Sequence, residues 1–177
     1  MKRRTLFVAA VCIAFAASGC TIKKDFTLNL EKDFVVNQSD NPSYSQTGDV
    51  RATDFSSDFE TYKGDLDAVE VQQASYIVTY WTGPSTQTTN ASVMIGDLSG
   101  GTPVLLSSVS NVNLMSVAAR EQTLSLNSAG SQKLNDLIKN SPYGARFYFT
   151  GTVNQVPVIF TTKVKAQLKV TYKKQIP

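Results

Sequence analysis

The chain has 177 residues, 42% of them hydrophobic, with two cysteines and no histidine. The missing histidine removes the commonest general base, the commonest metal ligand and every serine–histidine or cysteine–histidine arrangement. The formal charge of +3 is concentrated at one end: Lys2, Arg3 and Arg4 are three of the 17 basic residues, and the other 14 balance 14 acidic ones. A neutral remainder offers no electrostatic footprint for nucleic acid.

Along the chain, Met1-Lys2-Arg3-Arg4 precedes an apolar run from Leu6 to Ala17 and then the small residues Ser18 and Gly19. A charged start, a short apolar middle and a small-residue boundary are the build of a secretory signal. The run is too short to span a bilayer as a helix, which takes about 20 apolar residues. A cysteine directly after Ala17-Ser18-Gly19 resembles the lipobox of bacterial lipoprotein precursors. That resemblance, limited to residues 1–20, implies that the Cys20 thiol takes a diacylglyceryl group before cleavage on its amino side. In Gram-negative families with this motif an aspartate after the cysteine marks inner-membrane retention, so Thr21 implies transfer to the outer membrane. The alternative is an ordinary leader cut near Ala17 to Gly19, with Cys20 a free thiol. Cys12 falls inside the leader, so Cys20 keeps no partner for an intramolecular disulfide. The expected division is a signal peptide over 1–19, a lipidated tether over 20–25 and a single domain over 26–177.

Within the domain, Phe26 to Leu30 and Phe34 to Val36 read as a first strand, and Asn37 to Gly48 as a turn-rich connection. Asp54 to Asp65 has room for a short helix. Ala68 to Trp81 is a long strand with Ala74, Tyr76, Val78 and Tyr80 on one face and Ile77 and Trp81 on the other, apolar on both sides as a central strand is. Val69 and Val71 are out of phase with Ala74, which predicts a bulge near Gln72-Gln73. A polar loop from Gly83 to Asn90 leads to strands over Ser92 to Leu98 and Val104 to Leu114, joined through Gly100-Gly101. Gln122 to Leu126 is a shorter strand. Asn127 or Ser128 caps a helix whose Leu134, Leu137 and Ile138 recur at helical spacing, and Asn140-Ser141-Pro142 ends it.

The strongest period comes last. From Val158 to Lys173, apolar residues and Thr162 alternate with a lysine-rich solvent face, the two-residue period of a half-buried strand. With Arg146 to Val153 before it, this reads as a closing β-hairpin across Asn154-Gln155. Many strands and one or two short helices predict a mainly β fold, an antiparallel β-sandwich of immunoglobulin-like or similar topology.

Charge is split along the chain: Cys20 to Asp97 holds 12 acids and 5 bases, and Leu98 to Pro177 holds 2 acids and 9 bases. Either the two halves interleave in one fold, or copies associate head to tail.

No nucleophile elbow, phosphate loop or dinucleotide turn occurs, so chemistry would have to rest on carboxylates, tyrosines or lysines. Asp54, Asp58, Glu60, Asp65, Asp67 and Glu70 cluster in sequence. They read as a solvated acidic face opposite the lysine strand, as a calcium site around Asp65, Asp67 and Glu70, or as a glycosidase-type acid pair. Tyr80 and Trp81, beside the Gly83 loop, are core residues or a platform for a sugar ring or a partner. The reading is a non-enzymatic lipoprotein without cofactor, lipid-anchored at Cys20, whose partners are the membrane and an envelope protein or glycan. The alternative is a glycan-binding or carboxylate-dependent hydrolytic lipoprotein.

Overall fold

A computed structural model describes residues 20–176, with side chains from Thr21 to Lys174, so the leader expected over 1–19 lies outside the described residues. Eight strands form: β1 (Cys20–Gln38), β2 (Ser43–Arg51), β3 (Leu66–Thr82), β4 (Thr88–Gly96), β5 (Val104–Asn113), β6 (Glu121–Thr123), β7 (Gly144–Val153) and β8 (Val158–Ile176). Three α-helices accompany them, α1 (Ser57–Tyr62), α2 (Leu114–Val117) and α3 (Ser128–Lys139), with 3-10 turns at Ala52–Asp54 and Lys63–Asp65. One sheet has the order β1-β8-β3-β6 and the other β2-β7-β4-β5, with every pairing antiparallel.

The register shows how this order arises. Cys20 opposes Ile176, Ser43 opposes Thr152, Ser75 opposes Thr123 and Thr88 opposes Asn113. The first half of the chain therefore pairs with the second as one long hairpin, which rolls up so that successive rungs fall in alternate sheets. Rolling adds the pairings β3 with β8 and β4 with β7. The expected antiparallel sandwich is formed, and its strand order is that of a jelly roll.

The core lies between the sheets. Leu28, Leu30, Phe34 and Val36 of β1 and every even-numbered residue from Val158 to Tyr172 of β8 are buried, as the two-residue period requires. They meet Phe147, Phe149 and Val153 of β7, and Phe34 stacks on Phe149 with ring centroids 5.2 Å apart. Each such large side chain contributes about 1.5–3 kcal/mol when fully buried.

Helix α3 closes one side of the sandwich. The Asn127 side chain accepts from the amides of Ala129 and Gly130, and Leu134, Leu137 and Ile138 turn into the core. Gly130 lies flush against the backbone of Leu105 and Leu106, leaving no space for a β-carbon. Asn135 Oδ1 accepts the Val71 amide at 2.8 Å, beside the register shift between Val71 and Gln73 where the bulge was expected.

Four expectations need correction. Arg146–Val153 and Val158–Lys173 are not a hairpin: β7 and β8 belong to different sheets, and the chain crosses between them at residues 154–157. Both strands bury one face, and period alone does not distinguish neighbours within a sheet from strands facing each other across the core. Asn37 to Gly48 is not all connection, because β2 begins at Ser43. Its residues are mostly polar and only Tyr44, Gly48 and Val50 are buried, so pairing with β7 rather than an apolar period makes it a strand. The segment over 20–25 is not a free tether but the first part of β1, paired with the end of β8. Finally, β3 has three register shifts, and the last lies between Val78 and Tyr80. It turns Tyr80 outward and Trp81 toward the core, reversing the faces read from the period.

Candidate functional site

The end of the first sheet where β1 starts and β8 finishes has the most distinctive arrangement of charge and aromatic groups. Antiparallel pairing sets Lys23 directly opposite Lys173, two like charges that repel. Asp67, at the start of β3, resolves this by bonding Lys23 Nζ at 2.5 Å and Lys173 Nζ at 2.8 Å. Those two lysines hold its carboxyl at about 2, below the ordinary aspartate range. Tyr62, the last residue of α1, stacks on Tyr172 with centroids 3.9 Å apart. Beside them is a hollow of about 420 Å³ lined by Thr21, Tyr62, Asp65, Lys173 and Lys174. Thr21 is covalently next to Cys20, so the hollow adjoins the residue expected to carry lipid.

Tyr62 did not stand out in the sequence. The signal for it is the spacing of Phe55, Phe59 and Tyr62, with Ser56 as the cap accepting from the Phe59 amide. Phe59 is buried and anchors α1, which delivers Tyr62 to the strand ends.

The carboxylates that cluster in sequence do not converge. Asp54 accepts the Arg51 amide, Glu60 pairs with Lys63, Asp67 is held by two lysines, and Glu70 opposes Lys169 across the sheet. Among the described residues no three acidic or cysteine side chains are grouped so as to hold a metal. Asp67 is committed to two lysines, and Asp65, Asp67 and Glu70 do not form such a group.

The opposed halves of the chain interleave. Asp25 pairs with Lys169, Glu31 with Lys163, Asp49 with Arg146, Asp67 with Lys173 and Asp97 with Lys133, each an acid of the first half on a base of the second. The rolled hairpin causes this, since it lays one half of the chain against the other. Asp49 takes both Nε and Nη2 of Arg146, at 2.6 and 3.1 Å, and its carboxyl is lowered to about 2 chiefly by that contact.

At the opposite end of the same sheet, Tyr80 is 53% exposed, whereas Trp81 packs against the core. The Trp81 Nε1 donor and the Gln87 Oε1 acceptor are both buried without a hydrogen-bond partner, and both lie near Gly83. Stacking on a ligand is therefore open to Tyr80 and closed to most of the Trp81 ring. The described residues also line two other cavities. A polar groove of about 220 Å³ crosses the outer face of the first sheet past Asn29, Gln73, Ser75, Glu121, Lys165 and Gln167. An apolar gap of about 30 Å³ lies between the sheets near Tyr76, Val93, Leu124 and Phe149. No helix among the described residues is long and apolar enough to cross a membrane.

No family model and no curated protein matches the chain. Among solved structures, one of Desmodium yellow mottle tymovirus is similar at 12% identity and a TM-score of 0.37, covering 90% of this chain and 91% of that one. The decameric BFDV capsid protein gives 10% identity, a TM-score of 0.39 and coverage of 84% and 99%, and infectious bursal disease virus Gx strain gives 7%, 0.33, and coverage of 88% and 37%. The jelly-roll order of this chain is a property of its own pairings and register.

Proposed function

We propose that this chain is a lipoprotein anchored in the outer membrane through acyl chains on Cys20, with its jelly roll serving as a non-enzymatic module for envelope structure, assembly or ligand binding. The observation that carries the reading is the order of residues 1–20: a basic start, a short apolar run, two small residues and then a cysteine. Each buried methylene of an acyl chain contributes about 0.8 kcal/mol, so several chains on one residue hold the domain durably.

The non-enzymatic part of the reading is supported by how the acidic groups are used. Carboxylate catalysis takes two acids facing one scissile bond in a cleft, whereas Asp54 accepts the Arg51 amide, Glu60 pairs with Lys63 and Asp67 is held by Lys23 and Lys173.

The test is Cys20→Ser in the cells that make the protein, followed by membrane fractionation and intact-mass measurement. The parent is expected in the membrane fraction with the added mass of its acyl groups, and the variant is expected without that mass and outside the membrane. A variant that stays membrane-bound overturns the anchor.

A further inference from the structure

The membrane reading leaves open how the domain sits on the lipid, and the strand end beside Cys20 bears on it. A flexible tether would let the domain move away from the bilayer. Here residues 20–25 are strand, paired rung by rung from Cys20 with Ile176 to Asp25 with Thr171. If Cys20 carries the acyl chains, the hollow lined by Thr21, Tyr62, Asp65, Lys173 and Lys174 is held at the depth of the lipid headgroups.

The chemistry of that hollow selects among headgroups. Lys174 is exposed and takes part in no ion pair among the described residues, whereas Lys173, one residue earlier in the strand, leaves it on the opposite face and is bonded to Asp67. The ammonium of Lys174 suits a phosphate. Asp65 lines the same hollow and is likewise outside the ion pairs of the described residues, so it repels a second negative charge and suits a primary ammonium. Tyr62 adds an aromatic ring of the kind enriched at membrane interfaces, fixed by its stack on Tyr172. At about 420 Å³ the hollow falls within the range of small-ligand sites, roughly 300–1,000 Å³.

We propose that the hollow beside Cys20 binds the zwitterionic headgroup of a phosphatidylethanolamine molecule of the anchoring bilayer. Lys174 takes its phosphate and Asp65 takes its ammonium, while Lys173 stays on Asp67. The domain then stands upright on the membrane, with Tyr80 at the far end. Tyr80 pairs with Thr161 and Leu66 with Tyr172 along β8, and eleven residues of strand at about 3.3 Å each put roughly 35 Å between those rungs. This inference rests on the lipid-anchor reading.

The experiment uses the acylated protein in phosphatidylethanolamine vesicles doped with a headgroup-nitroxide lipid. Two single-cysteine labels carry an environment-sensitive fluorophore. One is Gly64→Cys, where a β-carbon meets open space beside the hollow, and the other is the exposed Tyr80→Cys. Acylated Cys20 does not react with the label, and its mass reports on the anchor separately.

The expected result is a several-fold greater quenching at position 64 than at position 80. It should fall in phosphatidylglycerol vesicles and should fall again in Lys174→Glu, with Lys174→Gln as the milder substitute if the first lowers the melting temperature. Equal quenching at both positions, no quenching at either while the acyl mass is present, or quenching indifferent to Lys174 and to headgroup each overturns the headgroup site and leaves the anchor standing. An unmodified Cys20 overturns both.

Discussion

Asp67 bonds Lys173 across adjacent strands at 2.8 Å while also holding Lys23, the residue that faces Lys173 in the register. One carboxylate thus neutralises a like-charge pair created by strand pairing. Asp67→Ala should leave the two ammonium groups repelling each other. The variant is expected to melt lower than the parent in dilute buffer and to recover part of the loss as salt is raised, because screening acts on exposed charges within about 10 Å at 0.1 M. Melting curves across a salt series measure this, and a variant that loses further stability with salt would contradict it.

The pH profile follows from the groups whose titration differs between folded and unfolded chains. Asp49 and Asp67 are lowered to about 2, and Asp25 and Glu121 are lowered by hydrogen bonds led by Lys169 and Ser75 respectively. Between the folded values and the unfolded ones near 4, the unfolded chain binds more protons, so stability is lost as pH falls through that window.

Tyr44 behaves in the opposite sense at high pH. Burial pushes it up to about 12, so its contribution is present below about 10 and lost as pH rises toward 12. With no histidine in the chain, the melting temperature should be flat from about pH 5 to 9, where unperturbed side chains other than histidine and cysteine do not titrate. Tyr44→Phe should soften the alkaline limb and, by losing the hydrogen bonds of its hydroxyl with Thr89 and the Asn90 carbonyl, lower stability at all pH by about 0.5–1.5 kcal/mol, which thermal melts at graded pH will show.

Two glycines should respond oppositely to alanine. A β-carbon at Gly130 meets the Leu105 carbonyl and Leu106 backbone, so α3 must lift from β5, and overpacking of this kind costs about 1–3 kcal/mol. At Gly64 it meets nothing, and its φ lies outside the left-handed range, so Gly64→Ala is expected to be neutral or stabilising by about 0.4–1 kcal/mol. Urea unfolding of both variants against the parent decides this, and equal effects would contradict the packing described for α3.

The seam between helix and sheet is also testable through Asn135. Replacing it with leucine keeps a side chain of similar size but removes the acceptor of the Val71 amide at the bulge. An amide left without a partner costs about 1–3 kcal/mol. Hydrogen exchange should quicken at Val71 by more than at Leu168 in the neighbouring strand, and unchanged protection at Val71 would contradict the seam.

How much was legible depended on the element. The buried face of β8 was readable residue by residue, because a strand packed on one side must alternate and its lysines face outward to water and to acids. Helix α3 was readable from its cap to its last residue for the same local reasons. Strand β2 was not, since polar residues become a strand there only through pairing with β7. Tyr80 and Trp81 exchanged faces because a bulge with no sequence signal of its own shifts the period between Val78 and Tyr80.

By itself, the order of amino acids determined the strand and helix periods, the neutrality of the chain after residue 19, the absence of histidine chemistry and the distinctive place of Cys20. The tertiary structure alone decided the pairing of β1 with β8 and β2 with β7, and with it the meeting of acidic and basic halves and the assembly of the hollow beside Cys20. The division has a physical cause. A side-chain period records which face of a strand is buried, whereas the choice of partner is made by contacts between residues far apart in the chain, which no local pattern encodes.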